Sequence, residues 1–421
     1  MRYLYTLAMY LVTPLLVLRL LARGVRSRPY PRRWRERFGF FDAPGFTGSL
    51  WVHAVSVGEV NAAEPLIKAL QLDYPNAPLV VTTVTPTGMA RVHQLFGDKV
   101  FHVYLPYDLP FAVKRFLQLT RPRLVLIVET EIWPNLYFAC RRRGIPLMIV
   151  NARLSERSMR GYKALRGLVR SSLSCVRLIA AQSRTDAARY RLLGAAAHKV
   201  RVTGNMKFDM PIPDGALAEG AAMRAHWGKR RSVWIAASTH EGEEQAILEA
   251  HLHVLTRLPD ALLLLAPRHP ERFRLVEHSA RSLGFSVATH SVEGVPAPSH
   301  QVFVIDAMGQ LMPFFAAAAV AFVGGSLVPI GGHNVLEPAA LSTPVLVGPH
   351  TFNFEEITRS LIQHGGAEVV TDSERLGHDV LRLLRDPAKC KLMGQAARQV
   401  FDRERGAVPR TMQLIDTLLQ E

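Results

Sequence analysis

The sequence predicts an α/β protein made of two doubly wound, parallel-sheet domains that follow an N-terminal membrane helix. Three observations support this prediction. The chain has 421 residues, which is too long for a single hydrophobic core. Short apolar runs alternate with helical patterns on both sides of a stretch near Met210 that contains Pro and Gly. The chain begins with an apolar run that is uncharged from Tyr3 to Leu18, as a membrane helix requires.

The first domain is predicted to span residues 24–210. Continuous apolar runs of this length are typical of parallel strands buried on both faces. They predict strands at 50–55, 79–83, 124–128, 146–150 and 178–181, with helices such as 62–72 and 112–119 between them.

The segment MPIPDGALAEG then predicts a linker at 211–231, because Pro and Gly punctuate regular structure. The second domain is predicted at 232–421, where the alternation of strand and helix patterns begins again. Its strands are expected at 232–237, 261–266, 285–288, 301–305, 320–323, 344–347 and 368–371.

Residues 1–23 are predicted to be a membrane anchor. Pro14 and Arg19 weaken the apolar run, so it either spans the bilayer or lies in its interface. Arginines on the C-terminal side favour the cytoplasmic side of a membrane and contact with anionic lipid; they are Arg23, Arg26, Arg28, Arg32, Arg33, Arg35 and Arg37. No cleavage site of a signal peptide follows the run. A buried core helix is the alternative.

The composition indicates a folded protein with an anionic partner. Hydrophobic residues make up 48% of the chain and charged residues 20%, and the formal net charge is +16. No nucleic-acid reading motif is present, so an anionic membrane or a phosphorylated substrate is the expected partner and nucleic acid is not. Cys140, Cys175 and Cys390 are scattered without a CxxC spacing, which excludes a disulfide framework and a cysteine zinc site.

The segment from Phe322 to Phe354 carries the strongest functional signal. It contains two Gly pairs, a predicted helix start at His333-Asn334, and Glu337 just inside that helix. Glycines permit close approach of a backbone to a ligand, and a helix N-terminus attracts phosphate. The segment therefore predicts a nucleotide site, although an ordinary Gly-rich turn is possible. It matches neither G-x-G-x-x-G nor the P-loop, which argues against hydride transfer and ATP hydrolysis.

Polar residues also follow the predicted strands of the first domain. Ser56, Gly58 and Glu59 come after the first strand, where Glu59 is either a general base raised on a tight Gly turn or a helix cap. Glu129 and Glu131 follow the third predicted strand. Two acids at this spacing can raise each other's pKa, bind hydroxyl donors or hold a divalent metal.

Cationic residues complete the set of strand-end groups. Arg153 is a candidate clamp for a carboxylate or phosphate, and Lys207 is either a point cation for the substrate or a solvated linker lysine.

In the second domain Arg268 is placed to bind a phosphate. The stretch 238–244 resembles a capping box over a helix start, and 306–310 can bind a base or ribose through backbone groups. Neither G-x-S-x-G nor HExxH occurs.

Taken together, these motifs resemble those of the bacterial Kdo transferases, which move 3-deoxy-D-manno-octulosonic acid (Kdo) from CMP-Kdo to a lipid A precursor in lipopolysaccharide synthesis. The matching segments, in order, are WVHAVSVGEV, VETEIWPN, NARLSERS, GNMKFD, APRHPER, DAMGQL, and GGSLVPIGGHNVLEPAA followed by VGPHTFNF. The resemblance runs from the anchor to the last helices. It implies an inverting glycosyltransferase of the GT-B type, with two Rossmann-like domains and a central cleft.

The resemblance also implies roles for individual residues. Glu59 corresponds to the base that takes the acceptor proton, and Glu129 and Lys207 to the pair that stabilises the transition state. The CMP-binding set comprises Arg268, His269, Met308, Gly309, Gln310, Asn334, Val335, Leu336 and Glu337. Ser56, Gly58 and Arg153 are candidates for binding the acceptor or Kdo. The family implies neither a metal nor a cofactor.

Two other functions fit part of the sequence. A GT-B transferase that uses a UDP-sugar would share the HNVLEP segment but not the SVGE, ETE and NMKFD motifs. A non-catalytic protein that binds membrane or nucleic acid would explain the charge but not the polar strand ends. The number of Kdo residues added and the oligomeric state are left open by the sequence.

Overall fold

The computed structural model describes residues 1–26 and 33–420. It divides into two compact units, of which the first comprises Met1–Met210 together with Glu404–Glu421 and the second Pro211–Arg403. Within the described residues, each unit contains one seven-stranded parallel sheet with helices on its faces. The α/β fold class predicted from the sequence is confirmed.

The first unit has the strand order β3-β2-β1-β4-β5-β6-β7. Its strands are β1 Ser49–His53, β2 Leu79–Thr83, β3 Phe101–Tyr104, β4 Pro122–Val128, β5 Leu147–Ala152, β6 Leu178–Ala181 and β7 Val200–Val202. Its helices begin with α1 Arg2–Arg26, α2 Val57–Asp73, α3 Pro86–Phe96, α4 Pro110–Thr120, α5 Pro134–Arg142, α6 Glu156–Ala164, α7 Arg166–Ser174 and α8 Arg184–Leu192. The strand order reverses between β1 and β4, and ligands of such sheets bind at the carboxyl ends of the strands at that reversal.

The second unit has the order β10-β11-β9-β8-β12-β13-β14, which reverses between β8 and β12. Its strands are β8 Val233–Thr239, β9 Leu262–Pro267, β10 Val287–Thr289, β11 Val302–Val304, β12 Val320–Val323, β13 Val345–Val347 and β14 Ala367–Val369. Its helices are α9 Ala216–Trp227, α10 Glu244–Leu255, α11 Phe273–Ser282, α12 His290–Glu293, α13 Leu311–Ala317, α14 Leu336–Ala340, α15 Glu355–Gln363, α16 Ser373–Arg385 and α17 Pro387–Glu404. The last helix, α18 Ala407–Gln420, returns to the first unit.

Both faces of the first sheet are covered, which explains why its strands are continuous apolar runs. Trp51 and Val125 pack into one core, where the Trp51 ring lies 4.6 Å from that of Phe116. Leu124 and Leu126, which point to the other face, pack into a second core. Every predicted strand is present within two residues of its predicted ends. Strands β3 and β7 were not predicted, because each is short and interrupted by a polar residue, His102 or Arg201.

Two predicted boundaries differ from the structure. The stretch predicted as a linker, 211–231, contains helix α9, whose Gly220 lies so close to Ala316 that a Cβ on it would be 2.5 Å from the alanine Cβ. The C-terminal residues belong to the first unit rather than to a domain at 232–421. Asp209 accepts the backbone N–H groups of Gly406 and Val408, both at 2.6 Å, and thereby fixes the start of α18 there.

Helix α1 is attached to the first unit at its N-terminal end. Tyr5 donates to Asp108 at 2.9 Å, and Thr6 donates to Asn135 at 2.9 Å. Beyond this turn the helix is exposed, since only 6% of the apolar window Arg2–Leu20 is buried. It is the one helix in the described residues that is long and apolar enough to cross a membrane. The buried-core alternative is therefore wrong.

The basic flank predicted after this helix falls partly outside the described residues. Arg28 and Arg32 lie outside them, as do the side chains of Arg23 and Arg26. Arg37 is described and is buried, with its guanidinium donating to the carbonyl of Val84 at 2.7 Å.

Candidate active site

The first group of site residues lies at the strand reversal of the first unit. Glu59 is in the first turn of α2, directly after β1, and its Oε2 accepts the backbone N–H of Val55 at 2.6 Å. No donor among the described residues contacts its other oxygen, Oε1. Burial, followed by the nearby charge of Glu129, raises the pKa of Glu59 to about 8. A carboxyl group that titrates near neutral pH can exchange a proton with a substrate hydroxyl.

The turn before Glu59 differs from the predicted one. Gly58 lies inside the first turn of α2 and does not have a positive φ, so no tight Gly turn raises the carboxylate. A Cβ on Gly58 would meet only the Ser56 hydroxyl, at 3.8 Å. Ser56 is the N-cap residue, but its side chain makes no capping bond. The position of Glu59 is set instead by its own bond to Val55.

Glu129 directly follows strand β4, on the other side of the reversal. Its φ of 61° is in the left-handed region, which a residue with a Cβ adopts at a cost of about 1–3 kcal/mol. Its backbone is held on both sides, since its N–H donates to Val150 O at 3.0 Å and its carbonyl accepts from Tyr190 at 3.3 Å. Burial also raises the pKa of Glu131. No group of three or more potential ligands for a metal occurs in the described part of the chain.

Lys207 faces these carboxylates. Burial lowers the pKa of its ammonium group, while the charges of Glu129 and Glu59 oppose that shift and Arg153 adds to it. Its backbone N–H donates to the Asn205 side chain at 3.0 Å. The structure therefore brings Glu59, Glu129, Lys207 and Arg153 together, although they lie far apart in the sequence.

Asn151 is a residue of this group that the sequence did not single out. It is fully buried near the end of β5, with a φ of 50°. Its side-chain oxygen accepts the N–H of Met206 at 3.0 Å, and its carbonyl accepts from Gln182 at 3.0 Å. Asn tolerates the left-handed region better than most residues. In the sequence, Asn151 is also the first residue of the NARLSERS segment.

The Gly-rich segment of the second unit is held by a buried carboxylate. Glu243 accepts backbone N–H groups from His240 at 2.9 Å, Gly325 at 2.6 Å and Leu327 at 3.3 Å. A Cβ on Gly324 would lie 2.5 Å from Glu243 Oε1, so glycine is required there. Glu243 was predicted to be part of a helix cap, but its carboxylate joins two strand ends at the reversal between β8 and β12.

Three histidines lie beside this segment. The Nε2 atoms of His240 and His333 are 2.7 Å apart and their rings are parallel within 2°. The His269 ring packs edge-on against His240 at 5.1 Å. Burial, and then the nearby His240, Arg268 and His269, lower the pKa of His333 to about 4. Arg268 therefore belongs to this cluster, in which His333 is neutral at pH 7.

The helix predicted to begin at His333-Asn334 begins two residues later. Helix α14 has five residues, and the N–H of Leu336 donates to the Asn334 side chain at 3.1 Å. Asn334 also donates to Glu337 at 3.0 Å, which places both polar groups at the helix start. Val335 and Leu336 are buried, so neither presents its side chain at the surface.

The remaining predicted residues lie in an exposed loop between β11 and α13. Met308 is 49% exposed, and Gly309 has a φ of 78°. Gln310 is the N-cap residue of α13 and is also exposed. This loop belongs to the second unit, like the other residues of the predicted CMP-binding set.

Comparison with known proteins identifies the family. Residues 32–210 match the sequence profile of the family described as 3-deoxy-D-manno-octulosonic-acid transferase (kdotransferase). The 3-deoxy-D-manno-octulosonic acid transferase of Haemophilus influenzae is 42% identical over 423 residues, which cover 100% of this chain and 99% of that protein. This chain belongs to the Kdo transferase family. The enzyme of the same name from Bordetella pertussis is 37% identical over 99% of both chains.

The fold comparison agrees with membership in the Kdo transferase family. The crystal structure of a glycosyltransferase from Rickettsia africae covers 89% of this chain and 100% of its own, with a TM-score of 0.58 and 11% identity. This likeness concerns the fold, and it confirms the predicted GT-B type. Since the chain is a glycosyltransferase of the Kdo transferase family, the non-catalytic alternative is wrong.

Proposed function

We propose that this Kdo transferase moves Kdo from CMP-Kdo to a lipid A precursor with Glu59 as the general base. The observation that supports the base is the raised pKa of Glu59, together with the absence of a donor on its Oε1 among the described residues. Glu59 takes the proton of an acceptor hydroxyl, whose oxygen bonds to the anomeric carbon of Kdo. The bond from that carbon to the phosphate oxygen breaks, and its electron pair leaves with CMP.

Glu129 and Lys207 stabilise the transition state in this proposal. Positive charge develops at the anomeric carbon, as in glycoside hydrolysis, and a carboxylate held beside it lowers the barrier. Lys207 balances the two glutamates and can contact the carboxylate of Kdo, which is itself an anion. Arg153 lies close enough to Lys207 to affect its pKa and is assigned to the Kdo carboxylate or to a phosphate of the acceptor. Ser56 and Gly58 border the acceptor.

The second unit binds CMP in this proposal. Glu337 offers a carboxylate at the start of α14 that can accept from ribose hydroxyls, and Asn334 orients it. The exposed loop Met308–Gly309–Gln310 offers backbone groups to the base. The phosphate is assigned to Arg268 and His269 rather than to a helix dipole, because α14 is only five residues long. Val335 and Leu336 supply backbone groups.

The reaction is proposed to take place at the cytoplasmic face of the inner membrane. Helix α1 exposes large apolar side chains along most of its length, among them Tyr3, Leu4, Leu11 and Leu15. The formal net charge of +16 favours an anionic membrane surface and a phosphorylated lipid acceptor.

A transfer assay tests this function. CMP-Kdo generated in place and a tetra-acylated lipid A precursor are supplied to wild type and to Glu59→Gln, with EDTA present. Transfer by wild type alone supports the donor, the acceptor, the base and a reaction without a metal, and the product mass counts the sugars added. Wild-type protein that binds CMP but transfers nothing would contradict the acceptor or the donor, and a UDP-sugar is the comparison donor.

A further inference from the structure

Two imidazoles of the second unit share one hydrogen bond. The Nε2 atoms of His240 and His333 are 2.7 Å apart, although the residues follow different strands. Gly325 makes room for the pair, since a Cβ there would lie 3.0 Å from His333 Cδ2, 3.1 Å from His333 Nε2 and 3.4 Å from His240 Cδ2. Both rings are partly exposed, so a ligand can reach them. None of the roles assigned above uses this pair.

Proton counting shows what this arrangement can hold. A neutral imidazole has one N–H and one acceptor nitrogen, so one Nε2 must donate and the other must accept. A second proton placed on the donating ring makes it an imidazolium, and the shared bond becomes a stronger, charge-assisted one. A further proton, on the accepting ring, would put N–H groups on both Nε2 atoms and break the bond. The pair can therefore take up one positive charge, and only one.

The surroundings of the pair disfavour the positive charge of an imidazolium when no anion is bound. The groups that face His240 are His269, Arg268, Glu244 and Arg272, and those that face His333 are His240, Arg268 and His269. Glu244 is engaged by the Arg272 guanidinium at 3.0 Å, so its charge is already balanced. Burial and these cations lower the pKa of both histidines. An anion beside the pair would reverse the shift.

We propose that the His240–His333 pair is an anion site that binds the phosphate of a nucleoside monophosphate and takes up one proton as it does so. Arg268 supplies one positive charge beside the pair, and the protonated pair supplies a second. Two positive charges balance the dianion of a phosphate monoester, so the ligand is a phosphate. The inference rests on the proposed function in that this nucleotide is taken to be CMP. The pair would then stabilise the product CMP, which carries one more negative charge on its phosphate than the donor does.

Titration calorimetry with CMP measures the proton uptake directly. The full chain is titrated at pH 7.5 in two buffers of different ionisation enthalpy, and cytidine serves as the ligand without phosphate. Wild type is expected to take up between about a half and one proton per CMP bound and none with cytidine. His240→Gln and His333→Gln are expected to bind CMP about ten- to a hundredfold more weakly, without proton uptake. His278→Gln, on the exposed side of α11, should behave as wild type.

The outcomes separate this inference from the proposed function. Binding of CMP by wild type without proton uptake would overturn the anion pair and leave the donor assignment intact. Binding of UMP in place of CMP, with the same uptake, would overturn the donor assignment and leave the pair intact. Failure to bind any nucleoside monophosphate would overturn both. Unfolding temperatures of the glutamine variants show whether a loss of affinity is a loss of fold.

Discussion

The side-chain oxygen of Asn151 accepts the backbone N–H of Met206 at 3.0 Å and so joins the end of β5 to the turn that carries Lys207. The backbone N–H of the next residue, Lys207, donates to the side chain of Asn205. Both bonds act on the backbone, and they hold the turn from which the Lys207 side chain extends. A misplaced charge stabilises a transition state poorly, so Asn151 is a positioning residue in the mechanism that we propose.

Replacement of Asn151 by Gly should lower kcat about ten- to a hundredfold and leave the affinity for CMP unchanged. Glycine accepts the φ of 50°, so the substitution removes the side-chain bond without adding backbone strain. Asn151→Asp is the comparison variant, because it keeps the acceptor oxygen and replaces an Nδ2 that has no partner in the described structure by a carboxyl oxygen. Aspartate should retain more activity than glycine. Equal kcat values in the two variants would remove Asn151 from this role.

The raised pKa of Glu59 predicts the pH dependence of the transfer. A base acts in its deprotonated form, and with a pKa of about 8 only about a tenth of Glu59 is deprotonated at pH 7. As pH rises, kcat/KM should therefore increase about tenfold per unit below pH 8 and level off above it. A plateau already reached at pH 6 would show that Glu59 is not the base or is not buried in the working enzyme.

Substitution of Glu129 by Gln should move this profile to lower pH. The negative charge of Glu129 is the largest influence after burial on the pKa of Glu59, and glutamine removes it. The plateau should also fall by on the order of a hundredfold, since the transition state loses a charge. Glu131→Gln is the graded control, because its effect on Glu59 is smaller. An unchanged midpoint in Glu129→Gln would contradict the proximity of the two carboxylates in solution.

The strands of both sheets could be predicted because burial on both faces makes each of them a continuous apolar run. Strand β7 could not, since it has three residues and the middle one is an exposed Arg201. The return of α18 to the first unit rests on bonds from Asp209 to residues about 200 positions away, which no local pattern contains.

Glu59 and Glu129 could be singled out from the sequence because each follows a predicted strand and belongs to a motif that resembles those of the Kdo transferases. Proximity that depends on tertiary contacts alone could not be predicted. His240 and His333 are separated by 93 positions, and nothing in either segment shows that their rings meet. Glu243 resembles a helix cap in sequence because a cap needs the same residue type at the same place. Only the fold brings Gly325 and Leu327 to its oxygens.

Replacement of Glu243 by Ala should destabilise the second unit by at least about 3 kcal/mol, because three backbone N–H groups lose their acceptor. The affinity for CMP should fall as well, since the Gly-rich segment is no longer fixed. Thermal unfolding and calorimetry measure the two effects. Glu241→Ala is the matched control on the same turn. Its side chain is 85% exposed and pairs with Arg272 at 3.2 Å, an interaction worth at most about 1 kcal/mol.

Removal of residues 2–20 should release most of the protein from membranes and leave the fold intact. The deleted helix contributes few buried contacts, and Asp108 keeps the N–H groups of Asn135 at 2.9 Å and Leu136 at 2.8 Å after its loss. Flotation with anionic vesicles measures the association, and the unfolding temperature reports on the fold.

Tyr5→Phe separates the contact of helix α1 with the first unit from its expected association with the membrane. It removes the hydroxyl that donates to Asp108 but preserves the apolar surface, so the variant should still bind vesicles. If the truncated protein stays on vesicles, the basic surface of the folded units holds the enzyme there and α1 is not the anchor. If it is insoluble or unfolded, the bonds of Tyr5 to Asp108 and of Thr6 to Asn135 are needed for the fold of the first unit.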